Sequence, residues 1–402
     1  MTAPPVPGPS RLLRILYVSD TGDQLGGAER SLLSLIEHLD QSRYQAHVVL
    51  GEDGRFASLL RAAHAKVILA RVGTIARSRN PLRLLLYAAF FVHGTLRLAW
   101  HIRRRRIGVV HVNKNPLAVH AVPAARLAGA AVVWHVRNRV SNFGRIGAWL
   151  VRHCHRILCV SRSIAAPFIE AFPEAEPRIT IVHEGIDATL YTAREAGAAF
   201  RQAVAARPQQ HLVGTVGRLT PWKCQDDFLR AAAIVAPRHP DALFPVVGDC
   251  VSSRAEQAPD RAWRDRLHAL AAELGIADRV VFTGFREDVP AVMNGLDVFV
   301  LPSHDEPFGI VVLEAMAAAR PIVAAAGGGV PEIVADGQHA LLVEPGNVEA
   351  MAEAIDRILS SPDLAARLGR AAEEHVVAEF PLWRHAAAVR AVYGDLAPAE
   401  RQ

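Results

Sequence analysis

From Arg14 to about Pro345 the chain alternates short β-branched runs with longer stretches of helical periodicity. The runs RILYVSD, AHVVL, KVILARV, VVHVN, AVVWHVR and RILCVS are each followed by a helical pattern, as far as a helix near Ser163 to Phe172. A strand followed by a helix and another strand has no tight turn with which to reverse direction. It pairs in parallel through a helical crossover, and a series of such units makes a doubly wound α/β sheet. The pattern pauses over 187–208 and resumes with HLVGTVGRL, ALFPVVGD, RVVFTGF, DVFVLPS, PIVAAA and HALLVEP. Two sheet-forming halves are expected, divided near residue 187, with ligands held outside the carboxyl ends of the strands in a cleft between the two.

The length, 402 residues, suits two such cores. The net charge of +5 is too small for a general nucleic-acid binder. Arginine outnumbers lysine 42 to 3, as a GC-rich genome would give, so arginine abundance says little and each of Lys66, Lys114 and Lys223 counts for more. The four cysteines form no CxxC pair and no histidine stands at ligand spacing from them, which argues against a zinc or disulfide framework and fits a reducing cytoplasm. Residues 1–13 lack the apolar core of a signal peptide and read as a disordered tail.

Three segments carry residue types suited to chemistry. After the first run, Gly26 and Gly27 open a helix, leaving free N–H groups for a phosphate or a sugar hydroxyl. The spacing is not GxGxxG, which argues against a dinucleotide fold. In GRLTPWKC, Arg218 and Lys223 follow a strand and are two cations able to neutralise a diphosphate without a metal. In HDEPFGIVVLEAM, Glu306 lies in a loop and Glu314 on the next helix, with a Pro307–Gly309 turn that presents the amides of Phe308, Gly309 and Ile310. Glu314 is flanked by apolar residues, where a carboxylate is paired or liganding rather than idle, and it is placed to accept from ribose hydroxyls.

The segment from Pro81 to Ile107 admits two readings. Its uncharged stretch, Leu84 to Leu96, is too short to span a bilayer. It is either a buried helix or an interfacial one, with its apolar side in lipid and Arg103, Arg104, Arg105 and Arg106, near Arg77, Arg79 and Arg83, on anionic headgroups.

GGAER after the first strand, GRL and its lysine at the start of the second sheet, VVFTGF, and E-x7-E in DEPFGIVVLEAM occur in the order found in the retaining GT-B glycosyltransferases of family 4, which the chain resembles over roughly residues 14 to 390. The resemblance implies an N-terminal acceptor-binding domain over 14–187, a nucleotide-sugar donor domain over 188–378, and a C-terminal segment, 379–397, whose helix crosses back to the first domain. It implies that Arg218 and Lys223 bind the donor diphosphate, with the Gly27 loop closing over it. It places Glu314 on the ribose, Glu306 near the C3 hydroxyl of the sugar, the amides of Phe308, Gly309 and Ile310 on the sugar, and Phe285 and Arg286 at the base. His135 in VVWHVRN would face the anomeric centre; the lesser alternative is a core strand histidine.

Two departures stand out: Glu184–Gly185 replaces the family's Asn–Gly, which bears on the hinge between the domains, and Ala319 replaces a glycine. The implied reaction moves a hexose from a nucleoside-diphosphate sugar with retention, without cofactor or metal. The acceptor would be lipid-linked, and the protein cytoplasmic and peripheral on an anionic membrane face. Three readings compete: a nucleotide-sugar epimerase of the same fold, a transferase with a soluble acceptor, and a lectin-like subunit. A nicotinamide oxidoreductase is disfavoured by the missing GxGxxG.

Overall fold

The computed structural model describes residues 12–19, 22, 26–70, 80–140, 144–250 and 257–396. The expected tail up to residue 11, Asp20, Arg77 and Arg79 lie outside them. The chain divides into two compact units: Met1–Gly185 with Leu382–Gln402, and Ile186–Pro381.

In the first unit, seven strands form one sheet: β1 (Leu13–Val18), β2 (Tyr44–Leu50), β3 (Lys66–Leu69), β4 (Val109–Val112), β5 (Ala131–Val136), β6 (Arg156–Cys159) and β7 (Ile179–Ile181). Their order is β3-β2-β1-β4-β5-β6-β7 and every pairing is parallel. Val109 to Val112 are buried throughout, as expected of strands covered on both faces. The alternation in sequence gave six strands here. β7 escaped it because ITI is a three-residue edge strand, partly exposed and too short to show a period. The helix Leu382–Leu396 belongs to this unit, packing Ala386, Val389 and Val392 into the cluster of Ile15, Leu32 and Leu35.

In the second unit, β8 (His211–Val216), β9 (Ala242–Val247), β10 (Val280–Gly284), β11 (Val298–Leu301), β12 (Ile322–Ala325) and β13 (Leu341–Val343) form a sheet in the order β10-β9-β8-β11-β12-β13, again all parallel. The interval without a strand pattern folds as a 3-10 turn, Ala188–Tyr191, and a helix, Ala196–Ala203. Between β12 and β13 the chain makes a single 3-10 turn, Val330–Glu332.

Both sheets have a point where the winding reverses, between β1 and β4 in one and between β8 and β11 in the other. Loops leaving adjacent strands there diverge, which opens a crevice at the carboxyl ends. The loops that follow these four strands carry most of the candidate residues.

The helix Pro81–Arg104 is not buried all round. Thr95, Leu98, Ala99 and Ile102 are buried, with Thr95 Oγ1 3.1 Å from His120 Nδ1. Leu86, Phe90, Val92, Leu96 and Trp100 are each more than half exposed. Among the described residues no helix is long and apolar enough to cross a membrane.

Candidate active site

The second unit assembles its residues from the loops after β8 and β11. Arg218 is exposed and its guanidinium has no partner among the described residues, while its carbonyl accepts from Gln225 Nε2 at 2.8 Å. A 3-10 turn, Pro221–Lys223, then brings the Lys223 ammonium over the Trp222 ring, 4.3 Å from its centroid, and 2.6 Å from Glu306 Oε2. Lys223 and Glu306 were read separately from sequence; they form one ion pair, with side chains only 13% and 9% exposed.

The loop bearing Glu306 is fixed by its backbone. Gly329 donates to the Glu306 carbonyl at 2.7 Å, and a Cβ on Gly328, whose φ is +61°, would collide with that same carbonyl. Phe308 is buried with its ring edge-on to Phe380. Gly309 takes φ +108° and caps the helix Ile310–Ala317 with no side-chain cap, so the first turn keeps its positive end open. Glu314 lies on this helix, 9% exposed. After β10, Phe285 is 57% exposed, and Arg286 forks onto Asp288 at 2.9 and 2.5 Å and lies over the Phe200 ring. An exposed aromatic side chain is suited to stacking on a flat ring.

In the first unit, the helix Gly27–Glu37 is capped by Gly26 and by no side chain. Its first turn is tied to neighbouring strand ends. Glu29 pairs with Lys114 at 2.8 Å, Asn113 Nδ2 donates to the Ala28 carbonyl, and Ser31 Oγ donates to Glu184 Oε2 at 2.5 Å. Arg137 donates to Asn113 Oδ1 at 3.0 Å and is ion-paired with Glu184, and both are buried. Burial holds Arg137 down to about 10. The Glu184 departure thus has a local cause: the carboxylate has Arg137 and Ser31 to satisfy it, and it faces His385 at 3.8 Å. Of this set sequence reasoning had singled out only Lys114, by its rarity, and Glu184, as a departure.

His135, the last but one residue of β5, is wholly buried. Its Nδ1 is 3.2 Å from His111 Nε2 and accepts from Arg137 Nη2 at 3.3 Å. Arginine can only donate, so the neutral ring carries its proton on Nε2, and that atom has no partner among the described residues. Burial, then Arg137, then the neighbouring histidines keep its pKa well below the usual imidazole value. A buried N–H without an acceptor is costly, and an incoming oxygen would relieve it.

Cysteine placement differs from expectation in one respect. Cys154 and Cys159 are inert, with thiols pushed up to about 12 by burial. Cys224, however, stands with Asp227 and His304 in one cluster, which spacing in sequence did not reveal because His304 comes from the β11 loop.

The chain matches the family model described as Glycosyltransferase Family 4 over residues 25–190 and that described as Glycosyl transferases group 1 over 198–375. It is 30% identical over 307 residues to the lipopolysaccharide core biosynthesis mannosyltransferase LpcC of Rhizobium leguminosarum bv. viciae, covering 75% of this chain and 79% of that protein. This chain is a family 4 glycosyltransferase. It is also 39% identical over 221 residues to D-inositol 3-phosphate glycosyltransferase of Mycobacterium sp. (strain KMS), a match that spans 54% of this glycosyltransferase and only 47% of that protein. Anabaena HepE, solved in complex with UDP and glucose, superposes with a TM-score of 0.81 at 25% identity, over 95% of this chain and 99% of that one. WaaG, a glycosyltransferase involved in lipopolysaccharide biosynthesis, shares the fold at TM-score 0.71. The family 4 glycosyltransferase thus has the GT-B architecture of two doubly wound parallel sheets, as its sequence implied.

Proposed function

We propose that this glycosyltransferase moves a hexose from a nucleoside-diphosphate sugar, with retention of configuration, to a lipid-linked acceptor in polysaccharide or glycolipid synthesis. The observation that carries the donor half is the pairing of Lys223 with Glu306, with the exposed Arg218 on the same loop as Lys223, at the reversal point of the second sheet. An arriving diphosphate would take the cations and leave Glu306 to hold a sugar hydroxyl. The solved complexes of HepE with UDP and with UDP-glucose support a nucleotide-sugar donor. Glu314 would hold the ribose, Phe285 and Arg286 the base, and the amides of Phe308, Gly309 and Ile310 the sugar.

Arg218, Lys223 and the Gly26–Gly27 helix end would stabilise charge growing on the leaving diphosphate. We take the displacement to be front-face, as the family resemblance implies, with Glu306 holding a sugar hydroxyl rather than attacking the anomeric carbon. In that path the bond from anomeric carbon to leaving phosphate oxygen breaks as the acceptor oxygen attacks from the same side, and the acceptor proton passes to the leaving phosphate. The Nε2 proton of His135 would meet a sugar oxygen. No metal enters this scheme, so transfer should persist in chelator.

The acceptor half rests on the exposed apolar side of the helix Pro81–Arg104 and the arginines at its end. An acceptor sugar on a lipid would be reached by a protein lying on the cytoplasmic membrane face. Incubation of the purified chain with a panel of nucleotide sugars, with and without lipid-linked acceptors, tests the reading. Donor consumption that needs the lipid acceptor is expected. Epimerisation of the donor alone, or transfer to soluble acceptors only, would overturn it.

A further inference from the structure

We propose that Cys224, Asp227 and His304 bind one divalent cation of the borderline-soft, Zn(II) class. Sγ, a carboxylate oxygen and a ring nitrogen all lie within 4.8 Å of one another. Two loops bring them together: Cys224 caps the helix Gln225–Val235 and Asp227 lies in its first turn, while His304 leaves β11. Thiolate, imidazole and carboxylate in one set is a donor combination that zinc and its neighbours take, whereas magnesium and calcium call for oxygen alone.

The geometry closes with small movements. Around a tetrahedral ion at about 2.0–2.3 Å, ligand atoms lie roughly 3.3–3.8 Å apart. His304 Nε2 and Asp227 Oδ2, now 2.6 Å apart, must separate by about 1 Å to admit the ion in place of their shared proton. Cys224 is buried, its Sγ donates to the Trp222 carbonyl at 3.5 Å, and the residue holds φ +51° where a glycine would be relaxed. His304 is half exposed and leaves an entry path and an open fourth position for water. Arg230 Nη1 donates to Asp227 Oδ1 at 3.1 Å, orienting the carboxylate from behind. Coordination displaces the thiol proton to solvent, so the cation competes with protons and binds more tightly as pH rises.

Occupancy would tie two loops together. Cys224 follows Lys223 and His304 precedes Glu306 by two residues, so the ion would fasten the turn and the loop whose ends form the ion pair. Only this last consequence rests on the proposed transferase function; binding itself does not.

The full chain, stripped with chelator, is titrated with Cd(II) while the thiolate-to-metal absorption is followed, and melted with and without Zn(II). Absorption that saturates at one equivalent and a raised melting temperature in zinc are expected. Cys224→Gly suits its backbone angle and should fold while losing the absorption. His304→Gln should weaken binding at least about tenfold, the loss that even an outer-shell change brings. Cys250→Ser should bind as the parent does. Absorption that survives Cys224→Gly, or no saturable signal in the parent, would overturn the proposal.

Discussion

Lys223 and Glu306, 83 residues apart in the chain, meet at 2.6 Å as a nearly buried ion pair. Each is therefore part of the other's environment, and neither can be removed alone without a structural effect. A half-removed buried pair costs about 3–5 kcal/mol, because the charge left behind is unpaired.

Lys223→Ala should accordingly lower both stability and turnover, the latter about 100-fold or more if the ammonium stabilises the departing diphosphate. Adding Glu306→Gln removes the stranded charge. The double variant should regain most of the melting temperature while turnover stays low. Recovery of turnover along with stability would show that Lys223 only serves the fold.

Glu314→Gln tests the ribose assignment. The residue sits on an uncapped helix among buried Val312, Leu313, Ala315 and Met316. The amide keeps the size and loses the charge that strengthens a hydrogen bond from a ribose hydroxyl. Charge-assisted hydrogen bonds contribute about 1.5–3 kcal/mol, so affinity for free nucleoside diphosphate should fall roughly tenfold or more by calorimetry. Unchanged affinity would remove Glu314 from the site.

The sheets were legible because parallel strands covered on both faces leave continuous apolar runs, such as VVHV and VFVL, while the strand order and its reversal points came only from the structure. The candidate residues after β8 and β11 were legible for a related reason: polar residues interrupt the pattern where strands end. What the sequence hid were contacts between loops from different strands. The Arg137–Glu184 pair, with Ser31 and Asn113, joins four separate segments, and no local period marks any of them. His304 beside Cys224 is hidden in the same way. The helix Pro81–Arg104 could not be decided from sequence because an apolar side chain reads alike whether a neighbour covers it or water does.

The buried imidazoles predict a pH dependence of stability. Burial and then the Arg137 guanidinium hold His111 and His135 well below the usual value and His385 at about 4, although Glu184 faces His385. The unfolded chain protonates these rings near pH 6.5, while the folded one keeps them neutral. As pH falls below about 6.5 the unfolded state therefore gains protons first, and stability is lost down to about pH 4, where His385 charges in the folded state too. Each imidazole contributes a slope of about 1.4 kcal/mol per pH unit in that window. Denaturant midpoints measured between pH 6.5 and 5 should fall steadily, and His385→Gln should flatten the slope by one proton. A midpoint independent of pH over that range would contradict the assignment of neutral rings.

The proposed membrane association rests on one surface of one helix. At 100° per residue, Leu86, Phe90, Val92, Leu96 and Trp100 fall within an arc of roughly 160°, and all five are exposed. The helix ends at Arg104, whose guanidinium lies over Trp100, and Arg103 and Arg106 are also exposed. Apolar side chains along a helix and cations at its end match the division between acyl chains and anionic headgroups. Each basic residue adds about 1 kcal/mol of attraction near an anionic leaflet, and salt screens it. The chain should therefore sediment with anionic vesicles at low salt and less at high salt. Phe90→Ser with Trp100→Ser should reduce binding at every salt concentration, since the apolar contribution is not screened. Replacing Arg103, Arg104 and Arg106 with Gln should instead abolish most of the salt dependence. If the parent chain stays in the supernatant at low salt, the exposed stripe has another partner and a soluble acceptor becomes the better assignment.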